Sequence, residues 1–209
     1  MKQPNRPFRS LAFAAVAAFS TLAAVPAASA ADVVGKITFD DLPTPEFQVN
    51  TKNKPTKPKD WLEVEAELNL QPKTPEQKKS GFIDSVTVKW YVGMKSVEGG
   101  ATGIKLMKEI TYLNVPCTEA TYVSAYLPPT TVKRLTGQEK AGKQNVDAVG
   151  IEVLIGGEKV GAQSVKAKVD WWTSPKLSDM STKYPLLNKD ETPFSQLWYD
   201  RYPEIQKKS

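Results

Sequence analysis

The sequence predicts an all-β protein, an antiparallel immunoglobulin-like β-sandwich of about seven strands. Apolar and polar residues alternate with a period of two in segment after segment, which is typical of strands with one buried face. Turn residues separate these segments at short intervals. Strands do not alternate with long amphipathic helices, so the sequence does not favour a parallel α/β sheet.

Residues 1–30 have the features of a secretory signal peptide. Lys2, Arg6 and Arg9 form a basic start, an apolar stretch runs from residue 11 to residue 25, and Ala28–Ala30 has the small-x-small pattern of a cleavage site. The apolar stretch is shorter than the roughly 20 residues that cross a membrane. We therefore expect cleavage after Ala30, no transmembrane segment in the mature chain, and a location in the periplasm or on the outer surface of a Gram-negative-type bacterium.

The composition excludes several kinds of catalytic and metal site. The sequence has no histidine and one cysteine, Cys117, so it lacks the residues for Ser-His-Asp catalysis, imidazole ligation or a cysteine-rich cluster. A single thiol in an oxidising compartment either bridges to a partner or stays buried and inert. The signal peptide carries three of the 28 basic residues and none of the 23 acidic ones, which leaves the mature chain at +2. This balance does not indicate nucleic-acid binding, and we expect no cofactor.

The mature chain divides into three regions. Residues 31–60 contain a short strand, Val33–Phe39, and a basic loop rich in Pro and Lys at 50–60. Residues 61–172 form the sandwich, with a second basic loop at 71–81 and a short helix over Pro128–Leu135 between strands five and six. The strands predicted within the sandwich are Trp61–Leu70, Phe82–Met94, Ile104–Val115, Ala120–Leu127, Val146–Ile155 and Lys159–Trp172.

The third region, residues 173–209, is a tail that prolines divide into short pieces. Thr192 is suited to cap a helix, and Pro193 is suited to its first turn. Phe194, Leu197 and Trp198 follow at helical spacing. The tail is therefore predicted to form one short amphipathic helix, from Thr192 to about Tyr202, that packs on the sandwich.

Four aromatic residues form the candidate binding surface: Trp61, Trp172, Trp198 and Tyr199. Trp61 and Trp172 fall on strand faces opposite their inward neighbours, whereas Trp171 is assigned to the core. An exposed aromatic ring stacks on a sugar or fills a protein interface. The alternative, that the C-terminal tail covers Trp61 and Trp172, is favoured because monomers rarely expose large apolar patches.

Acidic residues suggest two further kinds of site, and both have simpler interpretations. Glu63, Glu65 and Glu67 share one face of a strand at a spacing that some glycosidases use. We interpret them as a solvated face matched by lysines such as Lys166 and Lys168. Asp40-Asp41 and the acidic loop 188–191 lack the spacing of a calcium loop, so no metal site is expected.

Three parts of the sequence resemble a known family: the signal peptide, Trp61–Glu65 and Phe82–Val92. They are similar to a pilus-like immunoglobulin-fold protein family of Akkermansia (Verrucomicrobia), encoded with type IV pilus genes. The resemblance extends over the mature chain and implies an envelope protein associated with pilus formation and host contact. It implies no particular functional residue.

These observations together lead to an expectation of function. We expect an exported, non-enzymatic protein that acts by protein–protein binding as an accessory or structural component of a type IV pilus-related assembly. An exposed strand edge or the aromatic tail would contact the partner. The alternative is an adhesin-like module that binds a host surface or glycan through an exposed tryptophan.

Overall fold

The computed structural model describes residues 33–46, 57–95, 103–138 and 142–207. The predicted signal peptide and most of the basic loop 50–60 lie outside these residues. The strands are β1 (Val34–Pro43), β2 (Asp60–Leu68), β3 (Phe82–Met94), β4 (Ile104–Pro116), β5 (Thr121–Leu127), β6 (Val146–Ile155), β7 (Glu158–Val165), β8 (Ser178–Asp179) and β9 (Glu204–Ile205). The α-helices are α1 (Pro75–Ser80) and α2 (Pro129–Thr136), and short 3-10 turns occupy Lys143–Asn145, Trp171–Thr173, Lys189–Glu191, Pro193–Gln196 and Tyr199–Arg201.

The strands form two sheets that enclose one hydrophobic core. The first sheet has the order β1-β2-β5, and the second has the order β7-β6-β3-β4. The two-residue strands β8 and β9 both pair with the outer edge of β4, β8 in parallel and β9 antiparallel. The predicted all-β sandwich is confirmed. Because β1 pairs with β2 from Val34 to Pro43, this strand is part of the first sheet rather than a separate N-terminal element.

The core follows the alternation that predicted the strands. On β2, the apolar residues Leu62, Val64, Ala66 and Leu68 are all buried, and the glutamates between them lie on the opposite face. On β3, Trp90 is fully buried in the same hydrophobic cluster. Removal of these alternating apolar faces from water is the main driving force for assembly of the two sheets.

The two α-helices have clear local causes. The helix predicted between strands five and six is confirmed as α2, which ends at Gly137 with a left-handed φ of 72°. The loop predicted over 71–81 contains α1, so this part of the prediction was wrong. Thr74 and Gln77 form a reciprocal capping box, Pro75 starts the helix, and Gly81 ends it at φ 79°.

The seventh strand ends earlier than predicted, which changes the roles of two tryptophans. β7 stops at Val165 instead of Trp172, because Lys166 adopts a left-handed φ of 66° that interrupts the extended backbone. A 3-10 turn then carries the tryptophans. Trp172, predicted to face outward, is only 4% exposed, whereas Trp171, predicted for the core, is half-buried.

Trp171 and Trp172 pack on the outer face of the second sheet, where glycines make room for them. Trp172 stacks on Tyr91 with ring centroids 4.6 Å apart and planes 3° from parallel. A Cβ atom on Gly150 would lie 2.2 Å from Cζ3 of Trp172, and one on Gly93 would lie 3.0 Å from Cη2 of Trp171. The absence of side chains at Gly93 and Gly150 is therefore what allows the tryptophan pair to contact the sheet.

The C-terminal segment, defined here as residues 173–207, covers strand edges on one side of the sandwich. β8 and β9 pair with β4, and between them Leu187 exchanges two backbone hydrogen bonds of 2.9 and 2.8 Å with Tyr126 of β5. On the other side, the Gln163 amide of β7 donates to the backbone carbonyls of Val34 and Gly35 in β1. Both lateral openings between the sheets are thus bridged by hydrogen bonds.

The single amphipathic helix predicted from Thr192 to Tyr202 is replaced by two 3-10 turns. Thr192 does cap the first turn, and its hydroxyl accepts from the N–H of Phe194. The turn ends because Leu197 has an extended backbone (φ −102°, ψ 139°). Trp198 then adopts a left-handed φ of 50°, which no α-helix accommodates.

Substitution of Gly150 by Ala tests the packing of Trp172. The added methyl group would collide with the Trp172 ring, so we expect a loss of about 1–3 kcal/mol in the free energy of unfolding. Urea denaturation provides the measurement. Gly103→Ala is the matched control, because a Cβ atom there meets its nearest neighbour, the tip of Leu177, at 3.4 Å. Equal stabilities of the two variants would contradict the assigned packing.

Candidate binding surface

The aromatic residues predicted to form a binding surface differ in their environments. Trp61 is half-buried, with its ring edge against Phe194 at 5.7 Å and its Nε1 donating to the Thr44 hydroxyl at 3.1 Å. Trp172 is buried, as the favoured alternative expected, but it is buried by packing on Tyr91 of the second sheet. Trp198 is 53% exposed. Tyr199 begins a 3-10 turn, and its side chain lies outside the described part of the structure.

The acidic face of β2 is covered by the C-terminal segment, which corrects its interpretation as a solvated face matched by Lys166 and Lys168. The guanidinium of Arg201 donates to Glu65 at 2.8 Å, and the Tyr202 hydroxyl donates to the same carboxylate. Glu63 accepts a hydrogen bond of 2.8 Å from Tyr126. Since both carboxylates are held by neighbouring side chains beneath the segment, the geometry does not favour the paired-carboxylate hydrolase.

Burial changes the protonation equilibria under this segment. Burial raises the pKa of the Glu63 carboxyl above its ordinary value of 4.5, although the hydrogen bond from Tyr126 opposes the shift. Burial also raises the pKa of the Tyr126 phenol and lowers the pKa of the Lys189 ammonium. All three changes reflect the cost of a charge that has been removed from water.

Two anchors hold the segment on the first sheet, and Trp198 lies between them in sequence. On the N-terminal side, the ring of Phe194 stacks on Tyr126 at 5.3 Å, and Phe194 is 1% exposed. On the C-terminal side, the guanidinium carbon of Arg201 lies 3.6 Å from the centre of the Tyr122 ring. The anchors define the path of the backbone, and between them Trp198 remains exposed with a left-handed φ.

β9 and the residues that follow it separate two clefts. The first, of about 700 Å³, lies along β4 between Glu109 and Asn188, where Lys108 pairs with Glu191 at 2.9 Å. The second, of about 660 Å³, is lined by Leu113, Lys189, Tyr202, Pro203 and Ile205, among others. Sequence reasoning did not identify either cleft, because their walls come from segments far apart in the chain.

Within the described residues, no group of acidic, cysteine and histidine side chains has the arrangement of a metal site. The loop acids considered for calcium have protein partners instead. Asp40 pairs with Lys143 at 2.7 Å, and Asn188 and Glu191 cap a 3-10 turn reciprocally.

Cys117 is free and buried. None of the described helices is long and apolar enough to cross a membrane.

Comparisons with known proteins place the chain in a family. One protein-family model matches residues 24–209. A crystal structure of a protein from Akkermansia muciniphila is 38% identical in sequence and matches with a TM-score of 0.75, over 84% of this chain and 93% of that one. The chain belongs to the family that this model describes. The resemblance to an Akkermansia family seen in the sequence is thus confirmed at the level of the family, and no curated protein matches the chain.

The pH dependence of stability tests the burial of Glu63. A carboxyl group with a higher pKa in the folded chain binds its proton more tightly there, so it favours folding at low pH. This contribution is lost as the pH rises from 4.5 through the folded-state pKa. The free energy of unfolding of the wild type, measured relative to Glu63→Gln, should therefore decrease as the pH rises over this range.

The same pair of proteins, compared with Tyr126 replaced by Phe, provides a more specific test. Tyr126→Phe removes the hydroxyl that donates to Glu63, which should raise the pKa of the carboxyl further and extend the decrease to higher pH. Urea denaturation at closely spaced pH values provides both curves. A wild-type difference that is flat, or that rises with pH, would show that Glu63 is not buried as described.

Proposed function

We propose that this chain is an exported, non-enzymatic binding protein that serves as an accessory or structural component of a type IV pilus-related assembly. It acts in the periplasm or on the outer cell surface, and its partners are envelope proteins. The sequence features of residues 1–30 support export. Membership of the family that includes the Akkermansia muciniphila protein, together with the resemblance described for the sequence, supports the pilus context.

The observation that carries the proposal is the exposed ring of Trp198. Left-handed backbone at a bulky residue costs about 1–3 kcal/mol, and such strain persists only where the surrounding structure imposes it. Here Phe194 and Arg201 anchor both sides of the residue. The stability of these anchors keeps a large aromatic side chain in solvent, and tryptophan is the residue type most enriched at the energetic centres of protein interfaces.

The glycan-binding alternative has less structural support. It depended on Trp61 and Trp172, and the first is half-buried under Phe194 while the second is buried against Tyr91. Trp198 is the one exposed tryptophan among the described side chains. A single ring stacks on one face of a sugar but provides none of the polar contacts that orient it.

Site-specific photo-crosslinking in cells tests the proposal. A photoreactive residue at Gln196, an exposed position beside Trp198, should capture pilus-assembly proteins. Trp198→Ala in the same background should reduce this capture strongly, because loss of an interface tryptophan lowers affinity by about 30-fold or more. The matched control is a photoreactive residue at Lys78 on α1, which is also exposed and should capture none of these proteins.

Two results would contradict the proposed function. Equal capture from Gln196 and Lys78 would show that the Trp198 surface contacts no particular protein. Binding of the purified chain to a glycan array, with loss of the signal in Trp198→Ala, would assign the surface to a carbohydrate instead.

A further inference from the structure

Lys189 is a charged residue in an unusual place. It begins the 3-10 turn Lys189–Glu191, which the Asn188 side chain caps by accepting from the N–H of Glu191. In this turn, the Lys189 side chain is buried, with an exposed fraction of 4%. Lysine is almost never this deeply buried unless its ammonium group is paired.

The surroundings of the ammonium group do not provide that pairing. Among the described residues, Nζ donates one long hydrogen bond, of 3.3 Å, to the carbonyl of Ser195. It lies 5.2 Å from the centre of the Tyr202 ring. An ammonium group has three donors. Among the residues that the structure describes, no carboxylate lies within 4 Å of Nζ. The charges of Asp190 and Glu63 oppose the lowering of the Lys189 pKa by burial, and Glu63 already accepts from Tyr126.

Lys189 also lines the second cleft, whose volume of about 660 Å³ is that of a typical small-molecule site. Leu113, Tyr202, Pro203 and Ile205 form its apolar part, and the rest of the lining is polar or charged. A cleft with an apolar part and a buried, incompletely satisfied cation matches a ligand that has an apolar body and a single negative charge.

We propose that this cleft binds a small organic carboxylate, whose charged group pairs with Lys189 and whose apolar part packs against Leu113, Pro203 and Ile205. Asp190 and Glu204 also line the cleft. These acids would repel a doubly charged phosphate more strongly than a carboxylate, so the singly charged group is the better match. The inference is independent of Trp198 and of the proposed protein partner.

A purely structural role for Lys189 and a ligand-binding role predict opposite effects on stability when its ammonium group is removed. If the ammonium group only fastened the C-terminal segment, its loss would destabilise the chain. If it is instead a buried charge that awaits a ligand, an uncharged side chain of similar length should leave the chain equally or more stable. Lys189→Met distinguishes these cases.

Thermal denaturation and calorimetric titration with benzoate test the proposal, and benzamide serves as the neutral probe of the same shape. Benzoate should raise the melting temperature of the wild type, and benzamide should not. Lys189→Met should melt at or above the wild-type temperature and bind benzoate at least tenfold more weakly. Lys207→Met is the matched control, because Lys207 lines the same cleft but is exposed, and it should change the affinity less than twofold.

Several outcomes would overturn the inference. These are equal effects of benzoate and benzamide, unchanged benzoate affinity in Lys189→Met, or a lower melting temperature of this variant without ligand. The ¹³Cε resonance of Lys189 in the wild type provides a second measurement that does not depend on the variant. A shift of this resonance on addition of benzoate but not benzamide supports the site, and no shift rejects it.

Discussion

Coverage of open strand edges by the C-terminal segment is the constraint on which the rest of this structure depends. An edge strand leaves N–H and C=O groups without partners, and these favour pairing with other chains. Leu187 satisfies such groups at Tyr126 of β5, and the N–H of Gln206 donates to the carbonyl of Thr111 on β4. The segment therefore connects the two sheets on one side of the sandwich, while Gln163 bridges β7 and β1 on the other.

The same segment provides both surfaces for which we propose binding. Phe194 and Arg201 attach it to the first sheet, and the backbone between them keeps Trp198 exposed. Lys189 lies near its centre, buried beside the second cleft. The strained backbone of Trp198 and the poorly paired ammonium group of Lys189 both reduce stability. They occur where well-packed neighbouring residues offset this cost. This distribution is common at functional sites.

Local patterns in the sequence predicted the local structure well. β3 and β6 have the predicted bounds, because both are rich in apolar and β-branched residues, although each has a run of consecutive buried residues instead of one buried and one polar face throughout. The α1 helix was missed although Thr74, Pro75, Gln77 and Gly81 form its start and stop signals. The basic charge of this stretch suggested a loop, and the capping signals should have taken precedence.

Sequence by itself determined the all-β class and the core face of β2, since both depend on residues close together in the chain. It also indicated the family, because that resemblance compares residue types along the chain and needs no contacts. Tertiary structure alone decided the site. Arg201 and Glu65 are 136 positions apart, and the glycines that receive Trp171 and Trp172 lie on two different strands. A pattern of period two shows which face of a strand is apolar, but it does not show which distant segment covers the other face. That outcome depends on backbone reversals at single residues such as Lys166 and Trp198, whose side chains alone do not reveal a left-handed φ.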